Sequence, residues 1–183
     1  MGEQTMLELE KEVIDLLGGE KLLGKSIHNT FDLIDLIQQK GFPVLALLYI
    51  KHSLQIKDKE LAINLGVSEK TIHRYRDVIS RRWDVSTKSH FRENSLDVLK
   101  KLSRDRKNLD SRLNPATSDR LYRLAKVYAM AVEVFAGKEE AQKWLHTPQI
   151  GLNNRIPLEL IATEAGSQEV KNLLGRIEHG VFS

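Results

Sequence analysis

Lys57-Asp58-Lys59-Glu60-Leu61-Ala62-Ile63-Asn64-Leu65-Gly66-Val67-Ser68-Glu69-Lys70-Thr71-Ile72-His73-Arg74-Tyr75-Arg76 is the stretch from which the rest of this chain is read. Leu61 and Leu65, one helical turn apart, give a first helix its apolar face, and the small Ala62 lets a second helix cross closely. Gly66 suits the left-handed residue that ends a helix, Val67 plugs the corner, and Ser68 has the side chain to cap the next helix. Ile72, followed by Val78 or Ile79, then faces inward. The segment reads as a helix-turn-helix over about residues 58–80. This leaves Glu69, Lys70, Thr71, His73, Arg74 and Arg76 outward. On a DNA-reading face the first of these would meet base edges, while Arg74, Arg76, Arg81 and Arg82 would meet phosphates or bases. An ordinary helical hairpin with a solvated basic face would use the same caps.

Upstream, Leu7-x-Leu9 to Leu17 has helical spacing and stops at Gly18-Gly19. A second helix runs from an Asn29/Thr30 cap to Gly41. Pro43 opens a third from Val44 to about Ser53, with Leu45, Leu48 and Tyr49 on its apolar face, widened by Ala46 and Ile50. Downstream, Thr117 or Ser118 is in place to cap a helix to Phe135, with Pro115 as a start signal and Gly137 as its end. Shorter helices follow over Lys138 to Leu145 and from Pro157, and a last one starts at Thr163 to Gly166. No strand-like alternation interrupts the pattern, so an all-α fold is expected. The polar segment Asp84 to Asn94 reads as a boundary, and Ser103 to Arg112 as a charged helix or a linker.

The chain has 183 residues, 41% of them hydrophobic, which suffices for a real core. Its net charge of +3 is unevenly spread: residues 57–112 carry 15 Lys/Arg against 9 Asp/Glu, whereas residues 1–56 carry 5 against 8. A basic middle is what a phosphate-binding surface needs, and also what a solvated helix face looks like. There are no cysteines, so disulfides and thiolate metal sites are excluded. The longest apolar stretch, around Pro43 to Ile50, falls far short of the roughly 20 residues that span a bilayer; a soluble cytoplasmic protein is expected. Neither the spacing of the six histidines nor that of the glycines forms a metal, dinucleotide or phosphate-loop motif. No enzyme, cofactor or metal is expected.

The C-terminal third carries a more specific series: Arg120-Leu121-x-Arg123-Leu124-Ala125, Val134-Phe135-x-Gly137, Trp144-Leu145-x-x-Pro148, Leu152, Pro157-Leu158-x-Leu160, Thr163-x-x-Gly166, and Leu173-Leu174-Gly175-Arg176-Ile177-Glu178-His179-Gly180-Val181-Phe182. Taken in order, it resembles the toxin-binding domain of Xre/MbcA/ParS-type antitoxins, and with the helix-turn-helix the resemblance covers roughly residues 40–183. Where members of that family often have glycines after the position of Leu152, this chain has Asn153-Asn154, which tolerate left-handed backbone. The resemblance implies an antitoxin of a RES-type toxin–antitoxin pair. Such a protein covers the active-site cleft of an NAD-consuming toxin and represses its own operon. It further implies that Arg176, Glu178, His179, Val181, Phe182 and Ser183 lie at that cleft, with Phe182 as an apolar anchor.

The expected organisation is a DNA-binding and dimerisation unit over 1–83, a basic connection over 84–116, and a toxin-binding unit over 117–183. The expected partners are a RES-domain toxin, operator DNA and a second copy of the chain, in a homodimer and a larger hetero-oligomer with toxin. A stand-alone DNA-binding regulator whose C-terminal half only oligomerises is the competing reading.

Overall fold

The helix Val44–Leu54 has almost no polar face, with Val44 through Ile50, Lys51 and Leu54 all buried. A helix apolar all round has to be enclosed on every side, so the wider burial exceeds the single face expected from sequence. The computed structural model describes residues 2–81 and 111–180, with the side chains of 2–7 and 78–81 left out. Within it the helices are α1 (Gly2–Leu16), α2 (Glu20–Leu23), α3 (Thr30–Gln39), α4 (Val44–Leu54), α5 (Asp58–Leu65), α6 (Glu69–Arg81), α7 (Pro115–Phe135), α8 (Lys138–Leu145), α9 (Pro157–Leu160) and α10 (Glu164–Glu178). A 3₁₀ turn, Ile150–Leu152, precedes α9, and there is no β-strand among the described residues. The fold is all-α. The boundary segment Asp84 to Asn94 and most of the run Ser103 to Arg112 lie outside the described residues.

The caps are largely those the residues dictate. Asn29 accepts from the Asp32 amide, and Thr163 from the Gly166 amide at 3.1 Å. α7 departs from expectation. Asn114, not Thr117 or Ser118, is its cap, accepting from the Thr117 amide at 2.8 Å, and Pro115 occupies the first helical position. Ser118 is buried in the first turn, where its hydroxyl accepts the Phe42 amide at 2.9 Å, so its side chain serves a contact distant in sequence. The same junction holds two backbone bonds, Val44 to the Ser111 carbonyl and Leu113 to the Phe42 carbonyl.

α7 is the element both halves share. α1, α3, α4 and α5 pack against it from one side of the sequence, and α8 and α10 from the other. Its Leu121, Leu124, Ala125, Val127, Tyr128, Ala129 and Ala131 are buried in one continuous apolar core with Leu17, Leu45, Ile50, Leu61 and Leu65. The Tyr128 hydroxyl donates to the Ser53 carbonyl at 3.0 Å and ties the end of α4 to α7. Residues assigned from sequence to separate units therefore pack together through this helix.

Candidate functional site

The helix pair α5–α6 forms as its residues require. Leu61, Leu65 and Ile72 are fully buried and Ala62 nearly so, while Gly66 takes φ +61° in the left-handed region. A side chain at 66 would be strained there and would also collide with the guanidinium of Arg120, which donates to the Leu65 carbonyl at 2.9 Å. Arg120 of α7 thus satisfies an end-of-helix carbonyl of α5 and fixes the turn against the core. Ser68 caps α6: its hydroxyl accepts from the Thr71 amide at 3.2 Å and lies 3.0 Å from the Thr71 hydroxyl.

On α6 the expected outward residues separate into two groups. Glu69, Lys70, His73 and Arg74 are exposed, and the Arg74 guanidinium lies 5.9 Å from the Tyr75 ring centroid, within reach of a cation–π contact. Thr71 is half-buried and engaged with Ser68. Arg76 is half-buried as well and turned back onto Asp58, at 2.6 Å. Asp58, the first residue of α5, also takes Lys51 of α4 at 2.5 Å and stands 3.8 Å from the His73 ring. A single carboxylate therefore ties α4, α5 and α6 together. Its partners stand seven, fifteen and eighteen positions away on two other helices, so the hub depends on how α4, α5 and α6 pack and no periodicity within one helix reveals it. The side chains of Arg81 and Arg82 lie outside the described residues.

The C-terminal unit is built on different contacts. Trp144 and Leu145 of α8 are buried, with the Trp144 ring 5.4 Å from that of Phe135 at the end of α7. Thr163 and Gly166 work as a pair. The threonine caps α10, and the glycine lets the helix start abut the Leu160 carbonyl at the end of α9, where a Cβ would overlap it. Val170 and Leu174 of α10 complete the core. The loop between α8 and α9 turns through Asn153 and Asn154, both at φ +56°, so the two asparagines supply the left-handed backbone expected of them.

At the C-terminal end, Arg176 is half-buried with its Nε enclosed and unpartnered among the described residues, while Glu178 and His179 are exposed. Partial desolvation, with the Glu178 and Glu8 carboxylates close by, raises the carboxyl of the largely exposed Glu133 above its ordinary pKa. Val181, Phe182 and Ser183 lie outside the described residues. Among the described residues no cluster of histidines and carboxylates is arranged to hold a metal ion, and no helix is long and apolar enough to cross a membrane.

Comparison with known proteins bears on this second region. Residues 130–180, which run from the second half of α7 through α10, match the family model described as the Antitoxin Xre/MbcA/ParS C-terminal toxin-binding domain. Among individual proteins, the chain is 46% identical over 79 residues to an Antitoxin Xre of Yersinia enterocolitica, covering 43% of this chain and 53% of that protein. It is 42% identical over 67 residues to an Antitoxin Xre of Photorhabdus laumondii, covering 36% and 45%. An Antitoxin Xre of Pseudomonas putida shares 34% over 71 residues, covering 39% and 45%. The matches span about half the length of these relatives.

Proposed function

We propose that this chain, which carries the C-terminal toxin-binding domain of Xre/MbcA/ParS-type antitoxins, is itself an antitoxin: it binds and inhibits a toxic partner through the C-terminal unit and represses its own operon through α5–α6. The toxin-binding match over residues 130–180 carries the reading. By resemblance to the family, the partner is a RES-domain toxin that consumes NAD. The segment Arg176, Glu178, His179, Val181, Phe182 and Ser183 closes the toxin's active-site cleft.

The DNA half of the proposal rests on the helix pair. Lys70, His73 and Arg74 stand exposed beside Glu69 at the start of α6, where a reading helix meets base edges. Arg76 holds the helix through Asp58 and has less freedom to reach phosphate than its position alone suggests. A homodimer over two half-sites follows from the motif, since paired helix-turn-helix units read paired sites, with a larger hetero-oligomer once toxin binds. The proposed division remains a DNA-binding and dimerisation part over 1–83, a connection over 84–116 and a toxin-binding part over 117–183.

The test is co-purification of the chain, full-length and lacking residues 176–183, with the protein encoded beside it, while NAD loss caused by that protein is followed. A complex that suppresses NAD loss only with the tail present is the expected result. No complex with the full-length chain would sink the reading.

A further inference from the structure

We infer that the loop between α8 and α9 is a second contact for the protein partner, with Ile150 as an apolar anchor that enters a socket on it; the inference rests on the antitoxin reading. Four large apolar side chains are exposed among the described residues, Phe31, Ile34, Ile63 and Ile150, and Ile150 is the most open at 88%. Of these, Ile150 alone falls within the segment that matches a toxin-binding domain. That location commits the patch to the toxin rather than to a second copy.

The exposure of Ile150 is imposed by a stiff frame. The Gln149 side-chain amide donates to the Trp144 and Thr147 carbonyls at 3.0 and 2.9 Å, and its backbone closes the loop through the Asn154 amide and the Arg155 carbonyl. Leu152, two residues on, is buried and anchors the turn, and a Cβ at Gly151 would come within 2.7 Å of Leu173. Ile150 is thus held outward while its neighbours are pinned, so little loop ordering is needed when a partner arrives. Around it stand the exposed Asn153, Asn154 and Arg155, a polar rim about an apolar centre. Beside it opens a hollow of about 620 Å³ lined by Gly151, Arg155, Glu159, Thr163 and Glu169, wide enough for a side chain projecting from the partner. A knob next to a hollow whose lining begins at the adjacent Gly151 gives the partner two points of register, and the identity of residue 150 becomes a determinant of which toxin is accepted.

The experiment measures affinity of the full-length chain for the protein encoded beside it by biolayer interferometry, using wild type, Ile150→Asp, Ile150→Val and Arg155→Glu, with Tm and solution mass of each variant. Ile150→Asp is expected to weaken binding about 30-fold, the scale of an interface hot spot, while Ile150→Val stays within about threefold. Arg155→Glu is expected to fall between them, with Tm and mass unchanged throughout. Wild-type affinity in Ile150→Asp, with binding still lost on removal of residues 176–183, would overturn this inference and leave the antitoxin reading standing. A fall in mass from dimer to monomer with partner affinity intact would assign the patch to a second copy and overturn it as well. No binding by the wild type would overturn both.

Discussion

The two ends of this molecule present opposite chemistries on one core. At the start of α6 the exposed residues are charged or polar, Glu69, Lys70, His73 and Arg74, and the helix is held from behind by an ion-pair hub at Asp58. In the C-terminal unit the frame is an aromatic and aliphatic core around Trp144, Leu145 and Leu174, and the most exposed large apolar side chain among the described residues, Ile150, sits on a loop pinned by backbone bonds. The contrast points to different partners. A charged face that presents Lys70 and Arg74 on a fixed helix suits a polyanion, whose binding is driven by counterion release, whereas an apolar knob with a polar rim suits a protein socket. Both faces hang on α7, through Arg120 at the α5 turn and through Phe135 against Trp144.

The most severe way to break the comparison is Trp144→Ala. Loss of the buried ring is expected to cost about 3–5 kcal/mol. Because α7 joins both halves in one core, scanning calorimetry should show a single transition shifted down. Two separate transitions, with the α5–α6 end melting as in wild type, would show that the halves are energetically independent. Asp58→Ala is the corresponding blow at the other end. It strands Lys51 and Arg76, and with both pairs partly open to solvent the expected loss is about 2 kcal/mol in urea unfolding. Affinity for the protein partner is expected to stay at its wild-type value.

How much of this was legible beforehand depends on the range of the interactions. α1, α3, α4, α8 and the α5–α6 pair are written in local signals: Gly18-Gly19, Asn29, Pro43, Gly66 and Ser68. α2 was missed because four residues carry no periodicity. A serine hydroxyl at the start of α7 reads as a cap, which puts the start on Thr117 or Ser118, whereas the Ser118 hydroxyl engages the Phe42 amide, 76 positions away. Asp58 as a hub and Arg120 as a brace for Gly66 are long-range for the same reason. Ile150 was invisible for another: in sequence it is one more apolar residue near Leu152, and only the closed loop shows that one points out and the other in. The Asn153-Asn154 substitution could be read, because left-handed tolerance is a property of the residue itself.

The mildest test sharpens the comparison at the C-terminal end. The largely exposed Glu133 carboxyl has its folded-state pKa raised, first by partial desolvation and then by Glu178 and Glu8. The folded chain therefore holds the extra proton between the ordinary carboxylate pKa and the raised value, and stability declines as pH rises through that window. Glu133→Gln is expected to raise Tm slightly at neutral pH and to have no such effect below the ordinary carboxylate range. An equal shift at both pH values would show that charge is not the cause.

The most direct test of the central claim, two faces of opposite chemistry on one framework, is a parallel salt titration of the full-length chain against the DNA upstream of its own gene and against the protein encoded beside it. With several phosphate contacts, DNA affinity is expected to drop by roughly a thousandfold or more between 50 and 200 mM salt, with Lys70→Ala, at a base-reading position, relaxing sequence preference rather than lowering the slope. Affinity for the protein partner is expected to change little over the same range. DNA binding that ignores salt, or partner binding that collapses in step with it, would contradict the account.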